Sequence, residues 1–468
     1  MYAPATIAGY RARHDRGAGV RFAALLGGAL LLVWPAVMNR YPIVFVDTAA
    51  YLLHTITGVA PCDKTAVYGP FLALFHQGVT LWAPLLVQGL LLSWLLWLVQ
   101  RVALGQVRPG AHLLLAGGLG MLTAAPWVTA TVMPDFFTPV VVLCLYLLGF
   151  GERRIERVEA LTVGVIATVS IAAHLSHLPT ALCLVGLVLL ARRRLAPVLR
   201  AALPVAAAML VLIGANWHAF GRATLSPHGS VFLFARLQAD GPAAWTLRDR
   251  CPDSGWYLCD FIDRMPMDSD RFLWNPASPP ARSAAGIDRP MGAVMLAPEA
   301  AEVVAETLRT YPLAVAWAAF RNWAAQLLKT RVGDTHDNID LDQFAQRVLA
   351  PGFPAREVAA FEAGAQMQGD LERLAAPFLP VHVPVLVLCL LLLPLAAWGL
   401  ARRREPALGG LVMCVVVGLS VNAFATGALS KPHHRYQARI VWLLPLAVAL
   451  AFCPVHRRAG DDGAGQDP

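Results

Sequence analysis

Apolar runs recur along the whole chain, and they constrain its fold more than any other feature. Most are about 17–25 residues long, enough to cross a hydrocarbon core of roughly 30 Å as a helix. No water in that core pairs with exposed backbone groups, so helices that satisfy their own N–H and C=O groups are the natural solution. Ten such spans are expected near residues 22–39, 79–99, 110–128, 136–150, 158–174, 178–191, 197–217, 381–401, 407–427 and 437–453. Only 15% of the 468 residues are charged, against roughly 25% in an ordinary soluble domain. The expected fold is therefore an all-α polytopic membrane protein. The first run follows a long basic tail with no A-x-A-like site, which reads as a retained anchor.

Arginine fixes the expected orientation. Arg11, Arg13, Arg16 and Arg21 precede the first span, and Arg101 and Arg108 follow the second. Arg153, Arg154 and Arg157, then Arg192, Arg193 and Arg194, then Arg402, Arg403 and Arg404 mark further loops on the same side, with Arg457 and Arg458 in the tail. Positive loops stay inside, so both termini are expected in the cytoplasm of a bacterial-type inner membrane. The formal charge of +8 then calls for no nucleic-acid partner.

That topology puts two regions outside: the loop 40–78 and the block 218–380. The chain divides into an N-terminal membrane module (1–217), a smaller α-rich extracytoplasmic domain between spans seven and eight (218–380), and a C-terminal membrane module with a short tail (381–468). Within the outer block, "PEAAEVVAETLRTYPLAVAWAAFRNWAAQLLK" (298–329) reads as two helices broken at Pro312. The second sets Leu313, Trp317, Phe320, Ala324 and Leu327 on one stripe, which suits either the membrane surface or the domain's own core. Cys251 and Cys259 lie in the outer block, where an oxidising compartment favours a disulfide around "CPDSGWYLC".

Ionisable groups at membrane depth are costly and often functional. Asp47 stands alone in "YPIVFVDTAAYLLH" (41–54), just beyond the first span, and Asp135 occupies the short outer loop "ATVMPDFFTPV" (129–139). The two carboxylates are candidates to converge as catalytic groups, with a pKa raised by partial burial suiting a general base. For each a helix N-cap is the competing role, for Asp135 in particular, which precedes the fourth span. The chain has only three lysines, Lys64, Lys329 and Lys431, all on the expected outer side. Lys431, His433, His434, Arg435 and Arg439 crowd "SKPHHRYQAR" (430–439) against the positive-inside trend. Such a cluster suits phosphate by charge-assisted hydrogen bonds; contact with lipid headgroups is its competing role.

His174 and His177 in "HLSHLP" lack a third metal ligand and read as polar lining. The acidic "DTHDNIDLD" (334–342) lacks a calcium-loop pattern and reads as a solvated loop. No cofactor is certain; a divalent metal is left open without being indicated.

"VDTAAY" (46–51), Lys64 with Tyr68 in "DKTAVYGP", the acid at 135, and "HHRYQAR" (433–439) resemble the C-type membrane glycosyltransferases. That superfamily includes the protein mannosyltransferases and the aminoarabinose transferases of lipid A. The likeness covers mainly residues 22–195 and the last outer loop. Thr48 stands where a second acid commonly follows the first. The resemblance implies transfer of a sugar from a polyprenyl-phosphate donor to an extracytoplasmic acceptor. Asp47 would be the base, Asp135 would line the cavity, and Lys64, Tyr68, Lys431, His434, Arg435 and Tyr436 would serve the donor phosphate. Membrane lipids are the remaining expected partner. Two other readings compete. An O-antigen ligase or polymerase would rely on late Arg and His residues and leave Asp47 dispensable; a transporter would carry ionisable or helix-breaking groups near the midplane of several spans, and an assembly factor would tolerate loss of either acid.

Overall fold

The computed structural model describes residues 5–152 and 154–456. Arg153, Arg457, Arg458 and the rest of the polar tail lie outside them, as do the side chains of Arg11, Arg13 and Arg16. The described chain is helical throughout, with only isolated bridges in place of strands. Five helices are long and apolar enough to cross a membrane: Gly17–Asn39, Trp82–Leu104, Leu195–Phe220, Leu379–Arg403 and Pro406–Gly427.

Other expected spans are shorter or broken. The run at 110–128 ends as a helix at Leu122, because Thr123 is extended (φ −139°, ψ 172°), and it restarts over Ala125–Ala130. Hydropathy registers the apolar side chains on both sides of that break but not the backbone turn between them. The run at 437–453 likewise divides into His434–Val441 and Leu443–Ala451.

Phe137–Phe150 is the hub. Every one of its residues is buried, packed among the helices Trp82–Leu104, Arg157–Ala172, His177–Arg192 and Pro406–Gly427. A helix that is apolar all round belongs in such a position. Glycines permit the closest approaches. A Cβ at Gly418 would meet Val142, and one at Gly149 would strike Val188.

A second, smaller core gathers Val231, Phe234, Leu247, Leu258, Phe261, Phe272 and Val303. The Cys251–Cys259 disulfide closes its edge, with Cα atoms 5.5 Å apart. The segment around Pro312 does form two helices, Gly292–Thr310 and Pro312–Leu327. The first packs on the small core, while the second runs mainly against the apolar helix Pro406–Gly427.

Candidate functional site

An isolated bridge brings the first two candidate acids together. Ile43 pairs with Thr131: the Ile43 N–H donates to the carbonyl of Ala130 (3.0 Å), and Val132 N–H to that of Ile43 (2.8 Å). Thr48 reinforces the join. Its buried hydroxyl accepts from Phe45 N–H (3.1 Å) and donates to the Val132 carbonyl (2.9 Å). The residue at 48 thus starts the helix Val46–Thr57 and ties it to the Asp135 loop, a task for a hydroxyl rather than a second acid.

Asp47, in the first turn of that helix, is held on both oxygens. Lys64 Nζ lies 3.2 Å from Oδ1, and Arg435 Nη2 donates to Oδ2 at 3.1 Å. Arg435 also lies over the Phe45 ring, 4.4 Å from its centroid. Its backbone N–H donates to Asp334 Oδ2 (3.1 Å), and its buried Nη1 has no hydrogen-bond partner. Beside this group, Arg439 Nη1 donates to Asp135 Oδ1 (3.1 Å), while Nη2 donates to Ser176 and Asn422 at 2.9 Å each. Asp135 therefore faces a buried arginine across the site.

Asp135, Asp334, Arg435, Arg439, Trp127 and Thr131, among others, line an open cavity with about 420 Å³ of empty space, solvent at its mouth included; Asp47 and Lys64 are not among its lining residues. The wall at 332–335 is fixed from behind by Gln366, which is buried. Its Oε1 accepts from Val44 N–H (3.1 Å), and its Nε2 donates to the carbonyls of Val44 (2.8 Å) and Thr335 (2.9 Å). One side chain thus joins the strand-like approach to Asp47 with the opposite wall.

The electrostatics correct one expectation. Burial pushes the Asp47 carboxyl up, but Lys64 and Arg435 outweigh it and hold the group below its ordinary value. Asp47 in this state is a firmly ionised counter-ion, since two cations stabilise the charged form more than burial penalises it. Lys64 is the mirror case. Burial opposes its charge, and Asp47 with Asp63 hold its pKa above the usual lysine value.

The other expected residues divide. Tyr436 lies beside Arg435, whose Nη2 is 3.4 Å from the phenol oxygen. Tyr68 does not reach the cavity: it is fully buried and donates to Gln88 Oε1 (3.1 Å), edge-on to Tyr51 and Phe137. Lys431 also points elsewhere, pairing with Asp268 (2.8 Å) and Asp270 (2.7 Å) of the small-core region. His434 uses Nδ1 to accept from Arg331 N–H (3.1 Å), which secures the 331–334 segment. His177 is spent on Thr138 and the Ser170 carbonyl. Among the described residues no group of three or more His, Cys, Asp or Glu is arranged to hold a metal.

Two cavity residues carry more weight than their local sequence suggests. Arg439 was grouped with an outward cationic cluster, yet it is buried and serves Asp135. Asp334 lies in the stretch read as a solvated loop, yet it lines the cavity and caps Arg435 N–H. No family model, curated protein or solved structure matches this chain.

Proposed function

We propose that the chain is a membrane glycosyltransferase that moves a sugar from a polyprenyl-phosphate donor to a hydroxyl-bearing acceptor outside the cytoplasm. The observation that carries the reading is Arg435: half-buried, shared with Lys64 on Asp47, and left with a buried, unpartnered Nη1 beside an acid-lined cavity. A buried guanidinium donor without a partner favours an anionic ligand, and planar phosphate contacts suit arginine.

The chemistry follows from charge. The acceptor oxygen forms a bond to the anomeric carbon, and the bond from that carbon to the phosphate oxygen breaks with its electron pair. Lys64 and Arg435 neutralise the departing phosphate, the largest expected contribution to the rate. As they turn to the phosphate, Asp47 loses the two charges that hold its pKa down, and burial then raises its basicity toward that of a general base. The acceptor proton passes to this carboxylate. Asp334, a cavity carboxylate with no ion pair among the described residues, orients the acceptor hydroxyl. Asp135, fixed by Arg439, completes the polar wall.

In this reading the chain has ten spans, both termini cytoplasmic, and an inner-membrane location. The block 218–380 lies outside apart from its contact with the last membrane module. The ligase-like alternative makes Asp47 dispensable; the direct Asp47–Arg435 contact favours an early acid and a late arginine acting together. The test uses purified protein in vesicles with farnesyl-phosphate-linked mannose, glucose, galactose and aminoarabinose, reading release of farnesyl phosphate. Turnover of at least one donor, lost in Arg435→Ala, is expected. Release from none of them overturns the assignment.

A further inference from the structure

The helix Pro312–Leu327 is arranged inside out for a soluble domain. Its inward face is polar: buried Asn322 donates to Asp240 Oδ2 (2.7 Å), and buried Gln326 exchanges two hydrogen bonds with the backbone of His433 (2.8 and 2.9 Å). Its outward face is apolar. Leu313 is 84% exposed, Trp317 63% and Phe320 50%, with Leu328 beyond the helix end at 82%. Trp317, Phe320 and Trp323 form one aromatic strip, with successive centroids 5.7 and 5.6 Å apart.

Depth is set by what the helix packs on. Trp323 Nε1 donates to the carbonyl of Ser420 (3.0 Å), seven residues inside the end of the apolar helix Pro406–Gly427. At 1.5 Å rise per residue, that contact lies about 10 Å below the site end of a membrane-crossing helix. A Cβ at Gly427 would strike the Asn322 carbonyl and the Gln326 side chain, so the two helices meet backbone to backbone near that end. The supporting helix itself exposes Met413, Val416 and Phe424. The helix Pro312–Leu327, with its exposed apolar residues, packs directly on this one. Arg321 is 58% exposed, with one guanidinium nitrogen 3.8 Å from Asp240 Oδ1.

We propose that the helix Pro312–Leu327 is embedded in the leaflet on the site side, with Leu313, Trp317 and Phe320 in contact with phospholipid acyl chains. The partner is the bilayer itself. About 10 Å of depth and an aromatic strip match an interfacial helix whose apolar face is sunk into the headgroup–acyl boundary. The inference needs only that the chain sits in a bilayer and does not depend on sugar transfer.

The full-length protein is reconstituted in vesicles of phosphatidylethanolamine and phosphatidylglycerol with a photoreactive side chain at one position at a time. Trp317→p-benzoylphenylalanine and Leu313→p-benzoylphenylalanine are each irradiated and analysed by mass. Leu391, exposed on the apolar helix Leu379–Arg403, is the lipid-facing control, and two positions in the helix keep the test sound if one variant folds poorly. Phospholipid adducts at 317 and 313, at yields within a few-fold of that at 391, are expected. Adducts at 391 alone place the helix in water and overturn the proposal. A covalent dimer through 317 overturns it in favour of a second copy. Absence of lipid adducts at all three positions removes the bilayer placement and the proposal with it.

Discussion

Arg435 and Asp47 lie 388 positions apart in the chain and share a 3.1 Å hydrogen-bonded ion pair. The contact closes the site by joining the helix after the first apolar run to the helix before the last. It also makes the two residues interdependent: loss of either leaves the other's charge half-buried and short of a partner.

Asp47→Asn keeps the shape and most of the hydrogen bonding while removing the charge. Transfer is expected to fall by roughly 10²-fold or more, the scale of a lost general base, in protein that still inserts and melts cooperatively. Asp334→Asn should lower turnover with little change in the concentration of farnesyl-phosphate sugar needed for half-saturation, because it faces the acceptor. Steady-state kinetics of the two variants separate these roles. Near wild-type transfer by well-folded Asp47→Asn protein would remove it from the chemistry.

The ligand-free protein should hold Asp47 ionised throughout, with no titration of its carboxyl between pH 5 and 8. Its folded pKa lies below the ordinary 3.8, so the stabilisation from its ion pairs is fully present above that value. It is lost only as pH falls through the lowered folded pKa. Adding farnesyl phosphate should draw off Lys64 and Arg435 and move the carboxylate titration upward. Infrared difference spectra of the carboxyl band, with Asp47→Asn as the blank, measure both states.

Arg439 sits at 1% side-chain exposure against Asp135. Arg439→Met leaves a buried carboxylate unpaired and should cost about 3–5 kcal/mol. Asp135→Asn combined with Arg439→Met should recover a large part of that loss. Denaturation in detergent of the two single variants and the double variant checks this, and additive losses would show that the pair is not coupled.

Lys431 gives a contrasting expectation. Burial raises the pKa of Asp270, but His433 and Lys431 outweigh it and bring it down to about 2. The tie from Asp270 to Lys431 should therefore persist from the ordinary carboxyl value up to the raised pKa of the lysine, and on the acid side it fails as pH falls through about 2. The partners are too exposed for a large effect, so Lys431→Ala should cost at most about 1 kcal/mol. It should leave affinity for farnesyl phosphate unchanged, whereas Lys64→Ala weakens it. Equal weakening by both would return Lys431 to the phosphate site.

Gln366→Leu removes an amide that pairs with Val44 and Thr335 at once. Each buried backbone group left without a partner costs about 1–3 kcal/mol, so lower stability is expected together with faster amide exchange at Val44, whose N–H loses its acceptor. Hydrogen exchange at Val44 and neighbouring amides reads the effect, and unchanged protection there would show that other contacts hold the wall.

Asp47, Lys64 and Asp135 were legible in the sequence because isolated charges among apolar residues are conspicuous at any span end. Arg435 was legible through its cluster, but the cluster misled about Lys431. That lysine's partners, Asp268 and Asp270, come into reach only once the small core has formed and docked, a relation no local pattern encodes. Asp334 escaped for the opposite reason. Its acidic neighbours resemble a solvated loop, and only the anchoring of Arg331 by His434 and of Thr335 by Gln366 turns that loop into a cavity wall. The break at Thr123 was hidden because hydropathy averages side chains and ignores φ and ψ.

The two hydrogen bonds between Gln326 and the His433 backbone give the lipid a mechanical route to the chemistry. A thinner or more tense bilayer changes the tilt of helices whose apolar length no longer matches it. The helix proposed to meet the acyl chains is pinned two residues before Arg435, so a change in its tilt would pull on the guanidinium proposed to hold the phosphate. The proposed transfer is thereby expected to vary in rate with membrane thickness. Vesicles of graded acyl-chain length should give an optimum that flattens when Gln326→Leu cuts the linkage.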